Sequence, residues 1–332
     1  MAGLAKGDLV AGLFSTHVPR LMIHDPEARK AYMGRDVTTF YDALPAVYET
    51  KLRELDFDTF VIIDTHWHST LDFILNAHER LQGVYTSDEI PWMINEYEYD
   101  YPGDPELAAL IAEEAARTGE HAQCSAHRGL PVHYGTLNVM HYYNPGPAKK
   151  RVLAISVLDT AEVEANLRFG EAIARAVERS GRRVVLLASG GISHRFWDLA
   201  VIRERASADP RDINGAERRQ WDERIMQWWR DGDHAAVLAH ADEFRRTCSP
   251  EGRFAHYLVL AGAFGRGALL GRGEQFGRYE AAIGTGQAIF WFDPVRAERP
   301  ALQAAAASSS TTAFASTPTP STSTSTTSPG TR

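Results

Sequence analysis

The sequence predicts an α/β fold: a single domain with a central, mostly parallel sheet covered by helices. Two observations carry this expectation. Four short apolar runs lack the polar–apolar alternation of a half-exposed strand, which is the pattern of strands buried on both faces. Amphipathic segments with helical spacing lie among them, and strands alternating with helices build α/β architecture.

In chain order, the buried runs are residues 9–15 (LVAGLFS), 60–64 (FVIID), 152–158 (VLAISVL) and 184–188 (VVLLA). A fifth, residues 287–292 (QAIFWF), follows the turn sequence Gly284-Thr285-Gly286 and completes the sheet. Helices are expected over residues 106–117, 161–179 and 216–230. The second of these sets Val163, Leu167, Gly170, Ala174 and Val177 on one stripe, with Glu and Arg elsewhere. No internal repeat of fixed short period is present. From Ala301 onward the chain is almost entirely Ala, Ser, Thr and Pro, with one aromatic, Phe314. Such a segment cannot bury enough apolar surface to offset the entropy of ordering it. The expected organisation is a catalytic domain over residues 1–298 and a disordered tail over 299–332.

Composition narrows the function. The 332-residue chain is 44% hydrophobic and 23% charged, ordinary for a globular protein. Its net charge of −8 argues against nucleic acid as a partner, because phosphate binding needs a basic surface. No apolar run is long enough to span a membrane. The first residues, MAGLAKGDLVAGLF, lack the pattern of a secretory signal. Two widely separated cysteines, Cys124 and Cys248, make no disulfide framework. These features together point to the cytoplasm.

Position singles out three of the 13 histidines. Ligands of open α/β sheets bind beyond the carboxyl ends of the strands. There the first strand is followed by His17, the second by His66 and the fourth, through Ser189-Gly190-Gly191-Ile192-Ser193, by His194. Their convergence on one sheet edge predicts a shared site, and the Gly-Gly pair leaves room for a ligand beside the backbone. His68, two residues past His66, is a fallback ligand and otherwise a surface or supporting residue. Two neutral imidazoles and a carboxylate form the facial triad of non-haem Fe(II) oxygenases, which leaves positions open for O2 and a bidentate substrate. Zinc accepts the same ligands, so a zinc hydrolase and a non-enzymatic binding protein stay open at this point.

The segments STHVP, DTHWH, GVYTSDEIP, HYGTL, LASGGISHRF and GTGQ, in this order from about residue 8 to 292, resemble those of the type III extradiol dioxygenases. These share the protocatechuate 4,5-dioxygenase catalytic-subunit fold. The resemblance implies Fe(II) held by His17, His66 and Glu251, the last in Ser249-Pro250-Glu251-Gly252 ahead of an apolar stretch at residues 256–264. Glu280, before GTGQ, competes for the carboxylate role and otherwise reads as a solvated surface residue. His194 matches the family's acid–base histidine, and imidazole suits that work because its ordinary pKa lies near 6.5. Tyr134 falls where the family carries a histidine or tyrosine facing oxygen or substrate, and its neighbour His133 is a weaker candidate. Asp64 is expected to orient His66. The implied reaction is extradiol cleavage of a catechol by O2, with 3,4-dihydroxyphenylacetate as substrate and 2-aminophenol or protocatechuate as alternatives. Arg128, Arg195 and His127 are the nearby residues weighed for the substrate's carboxylate. A homo-oligomer is the implied assembly.

Overall fold

A computed structural model of the protein describes residues 6–25, 27–29 and 38–295. The tail and the boundary at residue 298 lie outside the described residues. The strands are β1 (Asp8–Ser15), β2 (Thr59–Ser69), β3 (Phe73–Asn76), β4 (Arg80–Tyr85), β5 (Tyr97–Pro102), β6 (Ala122–Ser125), β7 (Arg151–Leu158), β8 (Arg183–Ser189), β9 (Leu270–Ala282) and β10 (Thr285–Pro294). The helices are α1 (Phe40–Val47), α2 (Pro105–Arg117), α3 (Tyr134–Tyr143), α4 (Val163–Ser180), α5 (Ala216–Asp231), α6 (His234–Ala239), α7 (Ala241–Cys248) and α8 (Ala255–Ala263).

One sheet has the order β6-β3-β7-β2-β8-β1-β10-β9, and β4 pairs with β5 in a separate antiparallel ribbon. The four apolar runs are its central strands: β7, β2, β8 and β1 lie side by side and are mutually parallel. Successive side chains of β8 enter opposite cores. Val184, Leu186 and Ala188 join Phe14, Val61 and Ile155 under α2, α4, α5 and α8. Val185 and Leu187 join Leu13, Phe60 and Ile62 under α1 and α3. Both faces are therefore covered, and this removes the alternation that a one-sided strand would show.

The fifth run lies within β10, which is antiparallel to both β1 and β9. The second run extends further than its apolar core: β2 continues to Ser69, but its pairing with β7 breaks between Asp64 and His68. On α4 the buried stripe contains Leu167, Phe169, Gly170, Ile173, Ala176 and Val177, whereas Val163 and Ala174 are only partly covered. The expected stripe is rotated because α4 packs against α8 on one side and α2 on the other.

Candidate metal centre

The sheet register sets three chain ends beside one another. Ser15 of β1 is opposite Ser189 of β8, and Ser189 is opposite Asp64 of β2. At this edge each chain leaves the sheet. In β2, Asp64 pairs with Ser156 and pairing resumes only at His68 with Val157, so Thr65, His66 and Trp67 are extruded from the ladder. A bulge re-aims side chains in this way beside functional sites. Past β8, Ser193 bridges to Pro250, His194 donates its backbone N–H to Ser249 O at 3.2 Å, and Glu251 donates its own to Ile192 O at 3.1 Å. This pairing carries Glu251 to the histidines. The turn that holds it is strained: Ser249, Arg253 and Phe254 all have left-handed backbones, with φ of 46°, 54° and 66°.

His17, His66 and Glu251 each offer one ligand atom, and these atoms lie within 4.8 Å of one another. His17 Nε2 is 3.0 Å from Glu251 Oε1, and His66 Nε2 is 3.8 Å from the same oxygen. The tautomer of His17 is fixed from behind. Ser189 Oγ donates its proton to Gly135 O at 2.7 Å, so it can only accept from His17 Nδ1–H at 2.8 Å. The Nε2 lone pair of neutral His17 then faces a carboxylate oxygen in a buried site. Two acceptors this close need a cation between them, either a proton or a metal ion. The donor set thus fits a metal: two imidazole nitrogens and one carboxylate oxygen.

Glu251 is itself anchored. Oε1 accepts from Thr65 Oγ1 at 2.6 Å, and Oε2 accepts from the Gly191 N–H at 2.5 Å. Gly191 O accepts from His256 Nε2 at 3.1 Å, so His256, fully buried on α8, holds the peptide that holds Glu251. Burial pushes His256 down to about 4 and keeps it neutral. Burial alone would also raise Glu251, yet His194, His17 and His66 outweigh it and hold this carboxyl well below the usual range. In His17 the opposition runs the other way. Burial disfavours its charge, but the Glu251 carboxylate more than compensates and leaves the imidazole above its ordinary value. His66, half-buried and beside His17, is pushed down to about 3, chiefly by its partial loss of solvent. One positive charge is therefore favoured between His17 and Glu251, and a second on His66 is not.

His194 Nε2 is 3.6 Å from Glu251 Oε2. The Tyr134 hydroxyl hydrogen-bonds His66 Nε2 from the first turn of α3. Burial first, then the charges of Glu251, Glu89 and Asp64, raise the Tyr134 pKa far above its ordinary value and keep the hydroxyl protonated. Asp64 acts on the His66 backbone: Oδ1 accepts from His66 N at 2.8 Å, while Oδ2 accepts from Thr136 Oγ1 at 2.7 Å.

The other candidates lie elsewhere. His68 is exposed and pairs with Asp159 at 2.8 Å. His133 stacks on Trp67 at the start of α3. Glu280 is not at the centre, nor is it solvated: it is buried on β9 and accepts from Thr39 N at 2.7 Å and Thr39 Oγ1 at 2.6 Å. In the sheet its strand is separated from β1 by β10. His127, Arg128 and Arg195 are exposed and do not line the cavity above the centre. Thr65, Ser189, Gln287, His256 and Asp222 carry supporting contacts that the sequence left unassigned. The first three stand inside the motifs DTHWH, LASGGISHRF and GTGQ. His256 left one signal, a lone imidazole within the run AHYLVLAGA, and Asp222 another, a carboxylate on the same helical face as Ile225, Met226 and Trp229.

The cavity holds about 640 Å³ and opens directly on His17, His66, Tyr134, His194 and Glu251. Its outer wall is largely apolar, with Ile90, Trp92, Met93, Phe196, Ile202 and Ile283. Volume and lining suit a small aromatic molecule.

The chain is similar to known proteins over most of its length. Residues 11–289 match the family described as the catalytic LigB subunit of aromatic ring-opening dioxygenase. A 3,4-dihydroxyphenylacetate 2,3-dioxygenase from Escherichia coli is 35% identical over 260 residues, covering 78% of this chain and 91% of that protein. The beta subunit of a 2-aminophenol 1,6-dioxygenase from a Pseudomonas species is 25% identical over 306 residues, covering 89% of this chain and 97% of its own. A crystal structure of an uncharacterized protein from Escherichia coli K12 covers 85% of this chain and 99% of its own, with 15% identity and a TM-score of 0.47. The chain belongs to the LigB family of aromatic ring-opening dioxygenases, the type III extradiol enzymes, which work with a bound metal.

Proposed function

We propose that the protein opens the ring of 3,4-dihydroxyphenylacetate with O2, next to its hydroxyl pair, to give 5-carboxymethyl-2-hydroxymuconic semialdehyde. In this reading Fe(II) is held by His17 Nε2, His66 Nε2 and Glu251. The observation that carries the ligand set is the pair of facing acceptors, the His17 Nε2 lone pair and Glu251 Oε1 at 3.0 Å, fixed from behind by Ser189. The choice of substrate is supported by the name of the 35%-identical relative and by an apolar cavity of the right size. Bound there, Fe(II) supplies the redox route by which ground-state O2 reacts with a closed-shell catechol, a route that zinc does not offer.

The chain's own groups then have distinct tasks. His194 Nε2 faces the cavity beside Glu251 and takes a proton from a catechol hydroxyl as the substrate binds. The same nitrogen returns the proton as the ring opens, since an imidazole can both accept and donate a proton. Tyr134, kept protonated, is a fixed hydrogen-bond donor on the His66 side of the cavity. Gln287 is positioned by Thr16, whose hydroxyl donates to Gln287 Oε1 at 2.5 Å, and forms part of the wall. A homo-oligomeric assembly and a cytoplasmic location belong to the same reading; light scattering and cell fractionation measure them.

The deciding experiment is anaerobic reconstitution with Fe(II), followed by 3,4-dihydroxyphenylacetate and air. The expected result is a yellow product with stoichiometric O2 uptake. A protein that binds iron but leaves this substrate intact while cleaving 2-aminophenol would move the assignment to aminophenols. Inertness toward every catechol and aminophenol would sink the dioxygenase reading of the site.

A further inference from the structure

The segment after β8 runs from His194 along the cavity and contributes His194, Phe196, Ile202, Arg203, Ala206 and Ser207 to its wall. Three arginines sit on its outer half, and two of them are spoken for. Arg205 donates to Asp212 Oδ1 at 3.0 Å and lies over the Trp197 ring, and Arg211 pairs with Asp209. Arg203 has no hydrogen bond or ion pair among the described residues, yet it lines the cavity. The other cavity arginine, Arg20, is engaged: it donates to Ala281 O at 3.2 Å. The same cavity wall carries the apolar side chains of Phe196, Ile202 and Ile283. A guanidinium beside apolar side chains and without a carboxylate of its own is a ready receptor for one.

We infer that Arg203 binds the side-chain carboxylate of an aromatic acid substrate whose hydroxyl pair is turned toward His17, His66 and Glu251. This inference rests on the ring-cleavage reading of the same site and adds the group that selects an acidic substrate over a neutral or cationic one. A catechol that points both hydroxyls at the histidines must send its ring substituent outward along the cavity, where the segment after β8 supplies the wall. The competing charge there is Glu89, also exposed and unpaired among the described residues, which would instead favour an ammonium group. Glu89 stands on a different segment of the wall, between β4 and β5, and not on the segment that carries Arg203.

The test compares 3,4-dihydroxyphenylacetate, 4-methylcatechol and dopamine on the iron-loaded wild type and on Arg203→Gln, Arg203→Glu, Arg20→Gln and Glu89→Gln. Two quantities are read: kcat/KM in air, and Kd by calorimetry without O2. In Arg203→Gln the preference for 3,4-dihydroxyphenylacetate over 4-methylcatechol is expected to fall about tenfold or more, carried by KM and Kd, the scale of a lost charge-assisted pair. Arg203→Glu should move the preference further, toward dopamine. The inference is overturned if Arg203→Gln leaves both ratios within about twofold of wild type, if Arg20→Gln carries the loss instead, or if the wild type prefers dopamine through Glu89. Should the wild type cleave none of the three compounds, the ring-cleavage reading fails, and the Kd ratios still decide the role of Arg203.

Discussion

Ser189 determines which nitrogen of His17 faces the cavity, and through that choice it frees the Nε2 lone pair of a buried histidine for the proposed metal. Its single proton goes to Gly135 O, which obliges it to accept from His17 Nδ1. Supporting contacts of this kind are worth roughly 10–100-fold in metal affinity. Under the proposed assignment, His17→Ala and His66→Ala lose Fe(II), whereas His194→Ala keeps it and loses most turnover. Metal content by plasma emission, set beside O2 uptake, separates the two classes, and loss of iron from His194→Ala would overturn the division of roles. A second residue-scale prediction concerns Asp222. Burial pushes its carboxyl up to about 7, against the pull of hydrogen bonds from Ser193 and Tyr279. An unfolded Asp titrates near 4. Between roughly pH 4 and 7 the native state therefore binds the extra proton, and stability falls as pH rises, by about 1.4 kcal/mol per pH unit. The contribution is complete below the unfolded value and is lost as pH rises through 7. Asp222→Asn does not titrate, so urea unfolding across this range should show the wild type losing stability relative to the variant at about that slope. A difference that stays constant with pH would refute it.

Two irregular elements do more for the centre than the regular ones. The extrusion of Thr65 to Trp67 from β2 frees His66 from the ladder, and the turn at 249–254 delivers Glu251 at the cost of three left-handed non-glycine residues. Gly252, with φ of 51°, is packed so that a Cβ would stand 2.7 Å from Thr65 Cγ2. Gly252→Ala should therefore press on the residue whose hydroxyl binds Glu251 Oε1. The expected result is a loss of about 1–2 kcal/mol in stability together with weaker metal binding. Denaturation and metal titration on the same sample measure the two effects, and a variant that binds iron with wild-type affinity would show that the turn absorbs the methyl group. Neither irregularity is legible in sequence, since a strand that breaks its register keeps its composition. The central strands were legible because both their faces are buried. β9, by contrast, places Arg272, Glu274 and Arg278 among its residues at the sheet edge and reads as polar loop. β4 and β5 are hidden for a related reason: their ribbon exposes alternate residues and lies outside the main sheet.

At the scale of the whole molecule, what could be read depended on whether a contact is local. His17, His66 and His194 announced themselves because each comes shortly after an apolar run that forms a central strand, and a parallel sheet sends all such ends to one edge. Glu251 follows no strand; the motif resemblance, and not spacing, placed it. Ser189 with Gly135, Thr65 with Glu251, and Ser193 with Asp222 join residues 54, 186 and 29 positions apart, and such pairs leave no periodic trace. The last sheet strand, β10, sits between β1 and β9, and Val295 N donates to Leu269 O at 2.8 Å just beyond it. We propose on this basis that the catalytic domain closes by residue 298. The stretch from Ala301 offers little apolar side chain larger than Ala to add to a core. A chain ending at residue 298 removes no residue of the described sheet, so it should melt at the wild-type temperature and keep wild-type kcat/KM. A chain ending at residue 284 deletes β10 and leaves β1 and β9 without the strand that joins them, removing Ile289, Phe290, Trp291 and Phe292 from the two cores. That shorter chain should not fold. If instead the chain ending at 298 lost stability or activity, the Ala/Ser/Thr/Pro-rich segment would have to be counted as part of the folded enzyme.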